Sequence, residues 1–302
     1  MAEVALNHDA AVAAGPPKHR RRSPLRALVA QPKVVFAGGF ILFLILLALL
    51  APLIAPNDPL DQDLLSGTLP PAGFTGAQPG FWLGTDDLGR DVLSRLIYGT
   101  RVALTVAFVA AAAAALLGTV LGLFAGFYGG AVDAIVSRLV EIWMAFPPVL
   151  LSILIVAIMG SGVTSVIVAI AIIDWTRFAR VVRAETVAQA KADYVVAARV
   201  LGFGRLAILF REILPNVAPV LLALVTLEMG IAVIVEAILS FVGLSVSSDT
   251  PTWGGMIAQG RQIIYQAWWV FAAPLAALFA TVLAFNQLSD GLRRALDPVM
   301  QR

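Results

Sequence analysis

The side chains best placed to do chemistry in this 302-residue chain are three acids, Asp174, Glu228 and Glu236, within or near long apolar runs. Acids inside a membrane are costly and usually face protein or water, so each marks a proton relay, a brace or the lining of an aqueous path. Asp174 stands beside Trp175 and Arg177 at the end of one run, where a structural ion pair is expected. Glu228 lies deep in a later run and Glu236 two turns further on. No histidine or membrane-embedded lysine stands near them to pass a proton. Lining or bracing an aqueous path is the expectation for both.

Phosphate and metal chemistry are excluded by missing residues. A nucleotide-binding Walker A loop needs Gly-x4-Gly-Lys-Ser/Thr, because the lysine must reach the β- and γ-phosphates. Only Lys18, Lys33 and Lys191 exist, and none follows a glycine. His8 and His19 are the only histidines, and there is no cysteine. The chain is therefore read as non-catalytic, with no cofactor or metal of its own.

The elements that hold these acids are set by composition. The chain is 60% hydrophobic and 13% charged, with mean hydropathy +0.89, whereas an ordinary soluble domain is roughly 25% charged. That much apolar surface exceeds what one soluble core could hide, so the expectation is an all-α integral membrane protein. Residues 1–33 form a basic tail with Lys18, Arg20, Arg21, Arg22, Arg26 and Lys33. Residues 34–100 hold the first span and a long outer loop, residues 101–290 the main core, and residues 291–302 a second tail. A cleaved signal peptide is the rival reading of the N-terminus. The run Val34–Ala55 is longer than a signal core of roughly 7–15 residues and long enough to cross a bilayer.

Six spans are expected, at about Val34–Ala55, Val102–Phe124, Pro148–Met159 (extended back through Trp143), Val163–Phe178, Val217–Val242 and Ala267–Phe285. Placing both termini in the cytoplasm puts 17 of the 21 Lys+Arg inside and leaves only Arg90, Arg95, Arg101 and Arg261 outside. The positive-inside rule favours that orientation. Gly118, Gly122 and Gly126 recur every four residues on the second span and let another backbone approach. That stripe is either a seam beside a translocation path or plain helix packing inside one subunit.

A polar interruption, Lys191–Arg211, separates the fourth and fifth spans. Its spacing predicts a short helix with Tyr194, Ala197, Ala198 and Leu201 on one face, Asp193 capping its start and Gly202 turning the chain at its end. A second amphipathic run follows, with Leu206, Leu209, Phe210 and Ile213 on one side. The stretch could be a basic surface held against anionic lipid. The helix, glycine turn and second helix argue for a shaped contact with another protein.

This stretch resembles the "EAA" loop of bacterial ABC importer permeases, with Ala197-Ala198, Gly202 and Leu214-Pro215 in register. Leu83-Gly84-Thr85-Asp86-Asp87-Leu88-Gly89-Arg90-Asp91 resembles the outer-loop signature of the C-type subunit in dipeptide, oligopeptide and nickel importers. Trp253-Gly254-Gly255-Met256, Glu236–Leu244 and the segment from Asn286 to Pro298 resemble further parts of that subfamily. The resemblance runs from about Pro32 to Pro298. It implies a type I importer fold in the bacterial cytoplasmic (inner) membrane. It implies a homologous B-type permease subunit, two ABC ATPase subunits carrying ATP and Mg, an extracytoplasmic solute-binding protein, a peptide substrate and no nucleic acid. Asp193–Gly202 would be the coupling helix docked in the ATPase.

Two positions depart from the family pattern. Val196 replaces its glutamate before Ala-Ala, and Glu212 stands where isoleucine is expected. The cargo alternative is a nickel–chelator complex or another small solute. A gradient-driven secondary transporter is the alternative of another class. The short chain, the absence of a visible inverted repeat and the docking helix count against it. A membrane scaffold without transport would leave the outer-loop signature unexplained.

Overall fold

The computed structural model describes residues 31–246 and 249–296. Most of the basic tail, both histidines, residues 247–248 and the stretch from Asp297 onward lie outside the described residues. Among the described residues the regular structure is helical, with one isolated bridge between Thr85 and Asp91.

Helix α1 (Pro32–Leu49) begins with proline, whose missing N–H would have no partner in a first turn anyway. Its stripe Ala37, Ile41, Leu44 and Ala48 packs against Ala103, Leu104 and Ala107 and against Phe285, and Val34 lies against Gly291. The opposite face exposes Phe36, Phe43 and Leu49, as a lipid-facing surface does. The expected continuous span to Ala55 is interrupted at Leu50, and Ala51–Ile54 (α2) follows as one short turn. Pro52 in that turn has no N–H to bond back into α1.

Helix α3 (Val92–Tyr128) runs 37 residues, about 55 Å at 1.5 Å per residue. It therefore starts well before the apolar run expected at Val102. Gly129, at φ 65° and ψ −156°, turns the chain into α4 (Gly130–Met144), and α5 (Pro148–Met159) follows at 87° to it. The expected helix from Trp143 into the third span is thus broken. Pro147 and Pro148 donate no hydrogen bond, and the residue before a proline is steered out of the helical region.

Helix α6 (Val163–Gln189) packs along α3 through the glycine stripe. A Cβ on Gly118 would lie 2.5 Å from Phe178 Cβ; on Gly122, 2.7 Å from the Ala179 carbonyl; on Gly126, 2.7 Å from the Arg183 carbonyl. Successive glycines meet successive turns in the same direction, so α3 and α6 run parallel in register. The stripe is packing within one chain. Helices α7 (Asp193–Val200), α8 (Arg205–Phe241), α9 (Trp253–Gln262) and α10 (Trp268–Leu296) complete the chain. In α8 the segment Ile208–Ile213 is π-helical.

Among the described residues α1, α3, α8 and α10 are long and apolar enough to cross a bilayer, and α4 with α5 reach that measure only together. Helix α6 falls short because Asp174, Arg177 and Arg180 all sit in its first 18 residues.

Candidate functional site

The α6–α8 connection is a compact rod. Ala192, not Asp193, is the N-cap of α7, and no side chain caps the helix there. Asp193 is instead the first helical residue, where its charge faces the positive end of the helix dipole. Gly202 has φ 81°. Its N–H donates to the Arg199 carbonyl at 3.0 Å, and the Phe203 N–H donates to the Ala198 carbonyl at 3.1 Å. These two bonds are a Schellman motif, which closes the helix on a left-handed residue. The Tyr194 hydroxyl donates to Gln189 Oε1 at 2.8 Å. Partial burial raises the pKa of that phenol.

Of the four residues expected to share a face, Ala198 is buried, Tyr194 half-buried, and Ala197 and Leu201 exposed. Val195 and Ala198 are buried against Leu123, Val182, Ile208, Leu209 and Ile213, while Ala197 and Leu201 face outward. Burying the larger valine releases more apolar surface from water than burying Ala197 would. Val196, Val200 and Leu201 form an exposed apolar surface, with Val200 82% and Leu201 75% exposed. In the first nine residues of α8 the buried ones are Ile208, Leu209 and Ile213, and Leu206 and Phe210 are exposed. The π-helical register brings residues five apart together, which a 3.6-residue period does not anticipate. Leu214 is half-buried and Pro215 is exposed in the first turn of the regular helix that follows.

The loop before α3 folds into a knot of buried polar groups. Asp86 accepts from the Leu88 N–H at 2.9 Å, the Arg90 N–H at 3.0 Å and Arg90 Nε at 2.8 Å. Asp91 caps α3, accepting from the Ser94 N–H at 3.0 Å and the Ser94 hydroxyl at 2.5 Å. Thr85 is fully buried; its hydroxyl donates to the Ser66 carbonyl, and its own carbonyl accepts from Trp269 Nε1 at 3.1 Å. Gly84 and Gly89 have φ 74° and 75° and lie against the backbones of Leu69 and Asp63. Trp253 Nε1 donates to the Leu96 carbonyl at 3.1 Å, and Gly254 packs on Ala237 and Ser240 of α8. Arg90 Nη2 donates to Gln259 Oε1 at 3.0 Å, and Gln259 Nε2 donates to Asp87. The signature thus ties the loop to α9 and α10, and most of its side chains are spent inside the fold.

Two polar clusters lie within the helices. Arg177 Nη1 donates to Glu228 Oε2 at 3.2 Å and approaches Asp174 at 3.8 Å, joining α6 to α8. Glu236 accepts from the Ser240 hydroxyl at 2.5 Å and the Ser245 hydroxyl at 3.2 Å. The Gly162 N–H donates to the Ser245 carbonyl at 2.6 Å, so the α5–α6 turn is pinned to the end of α8. Glu228 and Glu236 are at most 1% exposed. Both are enclosed by this chain's own side chains, and neither faces an open surface of it. Sequence reasoning gave Arg177 to Asp174 and missed its contact with Glu228. The serine four residues after Glu236 was the available signal for the second cluster.

Comparison with known proteins places this architecture. Residues 118–302 match the family described as binding-protein-dependent transport system inner membrane component, and residues 22–71 match the N-terminal TM domain of oligopeptide transport permease C. The Di/tripeptide transport system permease protein DppC of Pseudomonas aeruginosa (strain UCBPP-PA14) is 40% identical over 266 residues, covering 87% of this chain and 88% of that one. The Dipeptide transport system permease protein DppC of Escherichia coli (strain K12) is 41% identical over 263 residues, covering 87% and 88%. The Glutathione transport system permease protein GsiD of Pectobacterium atrosepticum is 40% identical over 279 residues, covering 91% and 90%. A chain of the MetNI methionine ABC transporter, solved in inward-facing conformations, shares the fold: TM-score 0.56 at 22% identity, covering 67% of this chain and 96% of that chain. Long apolar helices and these matches lead to one assignment: the chain belongs to the binding-protein-dependent transport system inner membrane component family, the permeases of ABC transporters.

Proposed function

We propose that this chain is one of two permease subunits of an ATP-driven importer for dipeptides and oligopeptides. The observation that carries the reading is the α7–Gly202–α8 rod. It is a capped helix presenting Val196, Val200 and Leu201 outward, in a chain without a nucleotide-binding loop. A large exposed apolar surface on a connecting segment calls for a protein partner. The partner is an ABC ATPase that supplies ATP and Mg; two such subunits sit beneath this chain and a homologous second permease. A solute-binding protein delivers cargo from outside. Relatives named for dipeptide, di/tripeptide and glutathione transport support a short-peptide cargo.

The parallel α3–α6 register supports six crossings, and the distribution of Lys and Arg supports cytoplasmic termini. Two parallel neighbours need a return of equal height between them, and α4 with α5 are the only elements there. Helix α6 can run through the bilayer beside α3 despite its charges, because Arg177 pairs with both Asp174 and Glu228. ATP binding draws the ATPases together, the rod moves with them, and α6 and α8 tilt as one body braced by Arg177–Glu228. Glu228 and Glu236 act as braces beside the path.

The test is uptake by the complete complex in proteoliposomes. Peptide accumulation should require ATP inside and persist when the proton gradient is collapsed. Gly202→Pro should leave ATP hydrolysis running while uptake fails. Gradient-driven uptake without ATP, or a functional chain purified alone, would sink the proposal.

A further inference from the structure

A cavity of about 360 Å³ lies where the end of α3 meets the α7–α8 rod, lined by Phe127, Tyr128, Arg199, Phe203, Arg205 and Ile208. Two arginines share it, and neither forms an ion pair among the described residues. The Arg199 guanidinium lies 5.8 Å from the centre of the Phe127 ring, which orients it without neutralising it. Phe203, the wall between the two cations in sequence, is held in place by the Schellman bond to Ala198. Arginine presents a rigid fork of N–H donors that matches a carboxylate or phosphate, so a cavity lined by two unpaired arginines is built for an anion.

A phosphate-bearing lipid headgroup and an acidic side chain both fit that chemistry. The surroundings favour the side chain. Val200 and Leu201 stand exposed on the rod beside Arg199, and α7 turns no acid outward except Asp193 at its far end. This docking surface therefore offers cations and apolar contacts, and its complement is acidic and apolar.

We propose that this cavity receives an acidic side chain of the partner ATPase, gripped by Arg199 and Arg205. The inference rests on the permease reading above and extends it. Phe127 and Tyr128 are the last residues of α3 and directly follow Gly126 of the seam. An ATPase side chain seated there pulls on the α3–α6 pair as well as on α7. The load then enters the membrane at two points.

The experiment measures binding of the ATPase subunits, purified from the wild-type complex, to the permease pair in nanodiscs of neutral phosphatidylcholine or with added phosphatidylglycerol. Arg199→Gln and Arg205→Gln should each weaken association about tenfold, and the double charge reversal to glutamate about a hundredfold, in both lipids. Lys191→Gln and Arg211→Gln, exposed cations outside the cavity, should change it less than about threefold. Equal losses from all four single variants would reduce the effect to general basic charge and overturn the proposal. So would unchanged binding by the double reversal, provided its melting temperature matches the wild type. A defect confined to phosphatidylglycerol discs would make a lipid headgroup the occupant and also overturn it. Wild-type permease that binds no ATPase at all would instead refute the permease reading, a separate outcome.

Discussion

Replacing Gly122 with valine tests the seam that makes α3 and α6 one body. The new Cβ would stand 2.7 Å from the Ala179 carbonyl oxygen, 3.0 Å from Val182 Cβ and 3.1 Å from the Arg183 amide nitrogen. Ordinary contacts at such a carbon begin at 3.4 Å. Two of the three neighbours are backbone, so no side chain can swing away, and the helices must part by about 0.5–1 Å. Parting also loosens the contacts at Gly118 and Gly126. Overpacking of this kind costs about 1–3 kcal/mol; valine's two further methyl groups place it at the upper end. Valine recovers only about 0.3 kcal/mol over glycine in helix propensity. At about 2–4 °C per kcal/mol for a chain of somewhat smaller size, the net loss should lower the melting temperature by about 5–11 °C. The assay is fluorescence-detected gel filtration of detergent-solubilised protein after heating at a fixed rate, since membrane proteins seldom unfold reversibly. Gly39→Val is the control, because nothing lies within 4 Å of a Cβ there. If Gly122→Val melts no lower than Gly39→Val, the close-approach argument fails.

Arg177→Gln strands the buried Glu228 carboxylate and should cost near the lower end of about 3–5 kcal/mol, since the arginine side chain is itself 37% exposed. The double variant with Glu228→Gln should recover much of the loss, and the same melting assay reads both. Trp269→Phe removes the 3.1 Å hydrogen bond to the Thr85 carbonyl and leaves that buried oxygen short of a donor. A loss of about 1–3 kcal/mol is expected, seen as faster proteolysis of the 63–91 loop. The Asp63 carboxyl is held below its ordinary value of 3.8, chiefly by the Ser66 hydroxyl. A depressed folded value stabilises above the unfolded pKa and loses that contribution as pH falls through the folded one. Hydrogen exchange at Leu65 and Ser66, corrected for intrinsic rate, should therefore be flat above about pH 5 and rise only below 3.8.

Much of this protein was legible because lipid imposes a simple rule: long apolar runs become helices. The runs beginning at Val34, Val102, Val217 and Ala267 each coincide for most of their length with a helix long enough to cross a bilayer. The glycine stripe was legible as a close contact, because four-residue spacing repeats one helix face. Its partner was not, since packing against α6 or against another subunit has the same spacing. The outer-loop signature was legible as a set of residues but not as a knot. Nothing in Gly84–Asp91 announces that Trp269, far along the chain, seals it. The short helix at Asp193–Val200 was legible, but which of its residues turn into the fold was not. Over two turns, alanine pairs and valine pairs offer equally good stripes, and only the cluster around Leu123 and Ile213 decides between them.

By itself, the sequence determined the apolar solvent, the helical class and the position of the short helix between α6 and α8. Each follows from local composition or spacing. The tertiary structure alone decided the contacts between residues far apart in the chain. Arg177 reaches Glu228, Trp269 reaches Thr85, and Arg199 and Arg205 come to share a cavity with the end of α3. Those pairings depend on how helices cross, and no local pattern of residues records a crossing.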